Sequence, residues 1–134
     1  MADYALKVVT PEDTVYEGRV TEIILRGSEG DLGVLAHHMS LITAVRPCVL
    51  RITTAEGDAV RYALSGGFLE VNATETVVLA DTAERPEHIN RQRAEQARQR
   101  ALERLGRAGT DVDVLRAKEA LARAEARLRA LGDL

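Results

Sequence analysis

The side chains best suited to chemistry by type and number are the arginines near the end of this 134-residue chain: Arg91, Arg93, Arg98, Arg100, Arg104, Arg123, Arg127 and Arg129. Two readings of them stand side by side. Guanidinium forks facing inward from a helical hairpin match phosphate oxygens two at a time and would hold a triphosphate. Facing outward, the same residues make a solvated surface with Glu95, Glu103, Glu119 and Glu125 as local partners. The glycine-rich stretch Gly27-Ser28-Glu29-Gly30-Asp31-Leu32-Gly33 lacks the lysine-serine ending of a P-loop and the spacing of a dinucleotide fingerprint, so it reads as a turn. Ser65-Gly66-Gly67-Phe68 lies between two strand patterns rather than at the strand-to-helix corner of a nucleophile elbow, and reads as a tight turn or bulge. His37 and His38 have no Asp, Glu or Cys at metal-ligand spacing and read as structural; His88 reads as solvated at a helix start. Cys48 is the only cysteine, which excludes an internal disulfide and fits a reducing, cytoplasmic setting. No nucleophile, base and orienter converge, so a hydrolase reading has nothing to stand on and neither catalytic nor metal-ligating residues are expected.

The elements that must position these residues follow from composition and period. With 46% hydrophobic and 29% charged residues the chain is an ordinary globular one. Its longest apolar runs, such as Val77-Val78-Leu79-Ala80, fall far short of the roughly 20 residues that span a bilayer, and no signal-like segment opens it. A soluble chain that stays where it is made is expected. Three Tyr, one Phe and no Trp leave few platforms for stacked bases, and the net charge of −3 agrees that nucleic acid is not a partner. Residues 1–86 carry 7 basic and 13 acidic side chains (−6), whereas residues 87–134 carry 11 and 8 (+3), so the two parts face different electrostatic partners.

From Tyr4 to Ala80 apolar residues alternate with polar ones, as in Ile23 and Leu25 against Glu22 and Arg26, which predicts half-buried strands. Turn signals recur at Pro11-Glu12-Asp13, Gly27 to Asp31, Arg46-Pro47, Glu56-Gly57-Asp58, Gly66-Gly67 and Asn72-Ala73-Thr74, and many short strands joined by tight turns predict a sandwich or barrel. The composition changes at Asp81 to Pro86; beyond it Ala, Arg, Glu, Gln and Leu predict two helices broken at Gly106 to Asp111, with Thr110 or Asp111 as cap of the second. The boundary is therefore set at residue 86, giving an all-β sandwich over 1–86 and a helical hairpin over 87–134. Val114, Leu121 and Leu128, with Ala117, Ala124 and Leu131 three residues after each, form a short heptad seam against Ala94, Ala97, Ala101 and Leu105. A seam made mostly of methyl groups supplies only a few kcal/mol at about 25 cal/mol per Å², comparable to the ordering entropy it must offset. The tail is thus expected to exchange packing partners.

Four segments in order resemble one family. Gly30-Asp31-Leu32-Gly33-Val34-Leu35 with His38 and Leu41-Ile42-Thr43, then Ser65-Gly66-Gly67-Phe68-Leu69-Glu70-Val71, then Leu79-Ala80-Asp81-Thr82-Ala83-Glu84, and last the alanine-arginine tail are similar to the epsilon subunit of bacterial F-type ATP synthase. The resemblance runs from about Tyr4 to the end; Ala36 and Ser40 depart from it where the family often has proline. It implies a non-catalytic subunit at the cytoplasmic face of the bacterial cell membrane, held peripherally. Its sandwich, of about ten strands, would sit against the gamma subunit and the membrane-embedded ring, and turn with them. The tail would either fold on the sandwich or extend along gamma, where Arg116, Arg123, Arg127 and Arg129 would approach acidic loops of the catalytic alpha and beta subunits and hinder ATP hydrolysis.

No cofactor is required by the resemblance, but some members bind ATP as a regulatory ligand in the folded hairpin through Ile/Leu-Asp-x-x-Arg-Ala. The matching residues are Ile89, Asn90, Arg93 and Ala94, joined by position by Glu84, Arg100, Arg123 and Arg127. Asn90 stands where the family has an acid, so one charged acceptor is lost although an amide still accepts a hydrogen bond. A free-standing nucleotide-sensing module sharing this tail site is the alternative function.

Overall fold

The computed structural model describes residues 2–36, 40–107, 109 and 111–134. Nine strands lie among them: β1 (Tyr4–Val9), β2 (Thr14–Gly27), β3 (Gly30–Leu35), β4 (Leu41–Val45), β5 (Cys48–Thr54), β6 (Ala59–Leu64), β7 (Gly67–Val71), β8 (Glu75–Ala80) and β9 (Ala83–Glu84). A 3₁₀ turn at Pro86–His88 leads into α1 (Arg91–Arg107) and α2 (Asp111–Ala130). The expected sandwich followed by a helical hairpin is what the chain forms.

β2 shows how the nine strands among the described residues are joined. It runs unbroken for 14 residues, longer than the usual 3–10. Its first half pairs with β1 and its second with β5 and β3. A register shift between Val20 and Glu22 lets this one strand bend and serve both pairings. Neighbours then follow the order β1-β8-β7-β4-β2-β5-β6-β9, with β3 on β2 and β1 returning to β2. The pairing of β1 with β8 is parallel, and the rest are antiparallel.

Period-two alternation fills the core. Leu6 and Val8, Ile23 and Leu25, Leu50 and Ile52, Leu69 and Val71 point inward and are buried, each contributing on the order of 1.5–3 kcal/mol relative to exposure. The two core tyrosines satisfy their hydroxyls on distant carbonyls: Tyr4 donates to Val34 at 2.6 Å and Tyr62 to Val15 at 3.1 Å. Desolvation pushes both phenols up from their ordinary value, and pushes the buried Cys48 thiol up as well.

The Gly66-Gly67 turn is demanded by sterics. Gly67 has φ +146°, and a Cβ there would stand 2.0 Å from the Leu79 carbonyl oxygen. Ser65 is structural, since its Oγ accepts from the Thr82 N–H at 2.9 Å and from Thr82 Oγ1 at 2.7 Å. The reading of this segment as a turn rather than a nucleophile therefore holds. His37 and His38, and Thr110 and the Asp111 side chain as cap, lie outside the described residues.

The tail packs through small residues. Ala94 and Ala101 of α1 and Ala117, Ala124 and Leu128 of α2 are buried, as the seam predicts. Ala126 and Ala130 are buried too, off the seam, because α2 contacts α1 on one side and β5 and β6 on another. Its end is a Schellman motif: Gly132 (φ +84°) donates to Arg129 O at 3.0 Å and Asp133 to Leu128 O at 2.8 Å. Arg98 on α1 meets Glu125 on α2 at 3.3 Å, which closes the hairpin further along.

Candidate anion site where the hairpin meets the sandwich

Strand β9 places Glu84 beside Ala63 of β6, and after the turn at Pro86–His88 the chain enters α1 at Arg91. Asn90 caps that helix: its Oδ1 accepts the Arg93 N–H at 3.0 Å while its own carbonyl accepts the Ala94 N–H at 3.1 Å. The amide that replaces the family acid thus spends its acceptor on the helix start. From α2, Arg127 Nε donates to Glu84 Oε1 at 2.6 Å, with both side chains about one-third exposed.

Around this bridge lies a recess of ≈270 Å³ lined by Glu84, Ile89, Asn90, Arg93, Ala94, Arg100 and Arg127 together with His88 and Ala97. The structure therefore gathers seven of the eight nominated residues. Arg123 faces instead a neighbouring crevice with Glu84 and Arg127, and the larger cleft on the sandwich side of α2. His88 and Ala97 had a signal in the sequence, since one directly precedes the Ile89-Asn90 pair and the other lies one helical turn beyond Arg93. Three guanidinium groups against one carboxylate, at the amide end of α1, make the recess attractive to anions. Of the residues nominated for contacts with catalytic subunits, Arg116 and Arg129 are exposed, while Arg123 and Arg127 are half-buried.

A second surface lies on the sandwich. Ile42, Phe68 and Leu79 are 73%, 56% and 46% exposed. Ala44 on β4 pairs with Phe68 on β7, and Phe68 with Leu79 on β8, which makes an apolar row across three strands; Ile42 lies two residues along β4 on the same face, opposite Glu70. Large apolar groups exposed side by side mark an interaction face.

Fold and site together define a two-part protein: a sandwich with a bare apolar face, and a hairpin with a cationic recess at its base. No helix is long and apolar enough to cross a membrane, and no group of three or more His, Cys, Asp or Glu could hold a metal ion, among the described residues. Family models match both parts. The model for the ATP synthase delta/epsilon chain β-sandwich domain covers residues 3–86, and that for its long α-helix domain covers residues 87–132. The chain belongs to the ATP synthase delta/epsilon chain family.

An ATP synthase epsilon chain of Moorella thermoacetica is 44% identical over 132 residues, 98% of each chain. One of Desulforamulus reducens is 42% identical over 125 residues, covering 93% of this chain and 94% of that one. Among solved structures, a chain of the Euglena gracilis mitochondrial ATP synthase (OSCP/F1/c-ring) matches with a TM-score of 0.83 at 24% identity, over 97% of this chain and 81% of that one. A chain of the Tetrahymena thermophila mitochondrial ATP synthase central stalk and c-ring matches with a TM-score of 0.68 at 14% identity, over 97% of both. At those identities the structural likeness speaks for the fold.

Proposed function

We propose that the chain is a non-catalytic rotor subunit of the ATP synthase central stalk whose helical tail restrains ATP hydrolysis. The apolar face of Ile42, Phe68 and Leu79 is suited to the gamma subunit, and the sandwich links gamma to the membrane-embedded ring at the cytoplasmic face of the membrane. The observation that carries the regulatory part is how lightly α2 is held down. Its contact with α1 and the sheet is built chiefly from alanines, and the bridge from Arg127 to Glu84 is partly exposed. Such a bridge contributes about 0.2–1 kcal/mol. A docked and an extended tail then lie a few kcal/mol apart, within reach of a ligand or partner. Extension frees Arg127 and Arg123 to join Arg116 and Arg129 in approaching acidic loops of the alpha and beta subunits. Replacing those four arginines by glutamine tests this: hydrolysis by the complex should rise toward that of a tail-less complex, and inhibition by the unaltered chain should weaken with salt. Equal inhibition by the substituted chain would remove the charge mechanism.

A second reading, ATP sensing by the folded hairpin, is favoured by the recess that gathers Glu84, Asn90, Arg93, Arg100 and Arg127. At ≈270 Å³ the recess is just below the usual ~300–1,000 Å³ of small-molecule sites. A phosphate chain enters first, and swinging Arg127 off Glu84 makes room for the rest. Calorimetric titration of ATP into the isolated chain should weaken about tenfold or more with Arg93→Ala. Unchanged titrations for both Arg93→Ala and Arg127→Ala would rule the site out.

A further inference from the structure

A cleft of ≈750 Å³ is on the other side of α2, between that helix and the sandwich loops. Arg26 and Arg46 reach it from the sandwich, and Lys118, Arg123 and Arg129 from α2, against the carboxylates of Asp81, Glu119 and Glu125. These charges are unequally engaged. Glu125 is turned to Arg98, and Arg26 to Asp31 at 3.1 Å. Arg46, Lys118, Arg123 and Arg129 form no ion pair among the described residues. Asp81 and Glu119 form none there either, so four cations against two carboxylates leave the opening net positive, and that favours a multivalent anion.

The floor of the cleft is prebuilt. The Arg46 backbone N–H donates to the Arg26 carbonyl at 2.9 Å, which anchors its loop to β2, and the Asp81 N–H donates to the Gly66 carbonyl at 2.9 Å, which ties two further loops together. Loops fixed in this way do not have to be ordered by a ligand.

We propose that this cleft is a second anion site, distinct from the recess at the start of α1, and that it takes a di- or triphosphate group, free or carried on a nucleoside. Guanidinium forks recognise phosphate oxygens in pairs, and the volume suits a ligand larger than one phosphate. Because its cations come from both α2 and the sandwich, the site exists only while the hairpin is docked. Any anion bound there therefore favours the docked tail. Binding itself does not depend on the tail's effect on hydrolysis; only the regulatory consequence rests on that reading.

The test titrates inorganic pyrophosphate into the full chain and into three exposed-residue variants, Arg46→Gln, Lys118→Gln and Arg93→Ala, with folding checked by circular dichroism. A binding event that weakens about tenfold in Arg46→Gln and Lys118→Gln and is retained in Arg93→Ala is the expected result. Hydrogen exchange in α2 should slow when pyrophosphate is added. Titration of ATP into Arg93→Ala separates the sources: retained binding, lost again on adding Arg46→Gln, means that a nucleoside-borne phosphate chain is accepted, and no binding means that only the free anion is. Pyrophosphate binding that ignores Arg46 and Lys118, or none at millimolar concentration, overturns the site. Binding with unchanged α2 exchange overturns its coupling to the tail.

Discussion

Asn90 carries more of the local structure than its place in the nucleotide motif suggests, because its Oδ1 satisfies the Arg93 N–H and starts α1. Asn90→Ala should cost about 1 kcal/mol and speed exchange of the amides of α1's first turn, whereas Asn90→Asp keeps the cap. Equal exchange in all three chains would contradict the capping role. Glu84 and Arg127 should show a coupling of ~0.2–1 kcal/mol in a double-mutant cycle with Glu84→Gln and Arg127→Gln, given their partial exposure. Zero coupling would mean that the bridge does not hold the hairpin. Gly67→Ala forces a Cβ onto the Leu79 carbonyl, so a loss of more than about 1–3 kcal/mol in urea unfolding is expected. Gly57→Ala, where φ is +93° but the Cβ meets open space, should cost less. The residues of the recess were legible because they follow a resemblance position by position. The cap was not read, although an Asn directly before a helix-forming run is itself a start signal.

At the scale of elements, the contact between α2 and its neighbours decides whether the tail can leave. Ala126 is fully buried in α2, so Ala126→Leu overpacks it at a cost of roughly 1–3 kcal/mol. Exchange throughout α2 should rise in that variant while the β strands keep their protection; a tail still protected would mean that the helix is held by more than its alanines. The strands were legible from period two alone, because each alternation such as Leu50-Arg51-Ile52 has one buried face and one wet one. The heptad found Ala117, Ala124 and Leu128 but not Ala126 and Ala130, since a repeat describes one partner and α2 has two. Nor does alternation tell that β2 is one long strand, because the bend between Val20 and Glu22 is a pairing feature that depends on β5.

For the molecule as a whole, the desolvated phenols and thiol make stability fall in alkali. Folding favours their protonated forms, so the unfolded chain gives up its protons first. Stability is unaffected below pH ~9 and declines as pH rises past the ordinary values of 9.0 for Cys48 and 10.0 for Tyr4 and Tyr62. Urea midpoints that stay level from pH 8 to 11 would contradict that burial. The charge difference between the acidic sandwich and the basic tail fits the proposed function, in which one part docks by its apolar face and the other acts through charge. The most direct measurement is ATP hydrolysis by a catalytic core lacking its epsilon chain, supplemented with the full chain or with residues 1–86, while binding of each is recorded. The account predicts that both bind and only the full chain slows hydrolysis; equal slowing by both, or failure of either to bind a matched core, would contradict it.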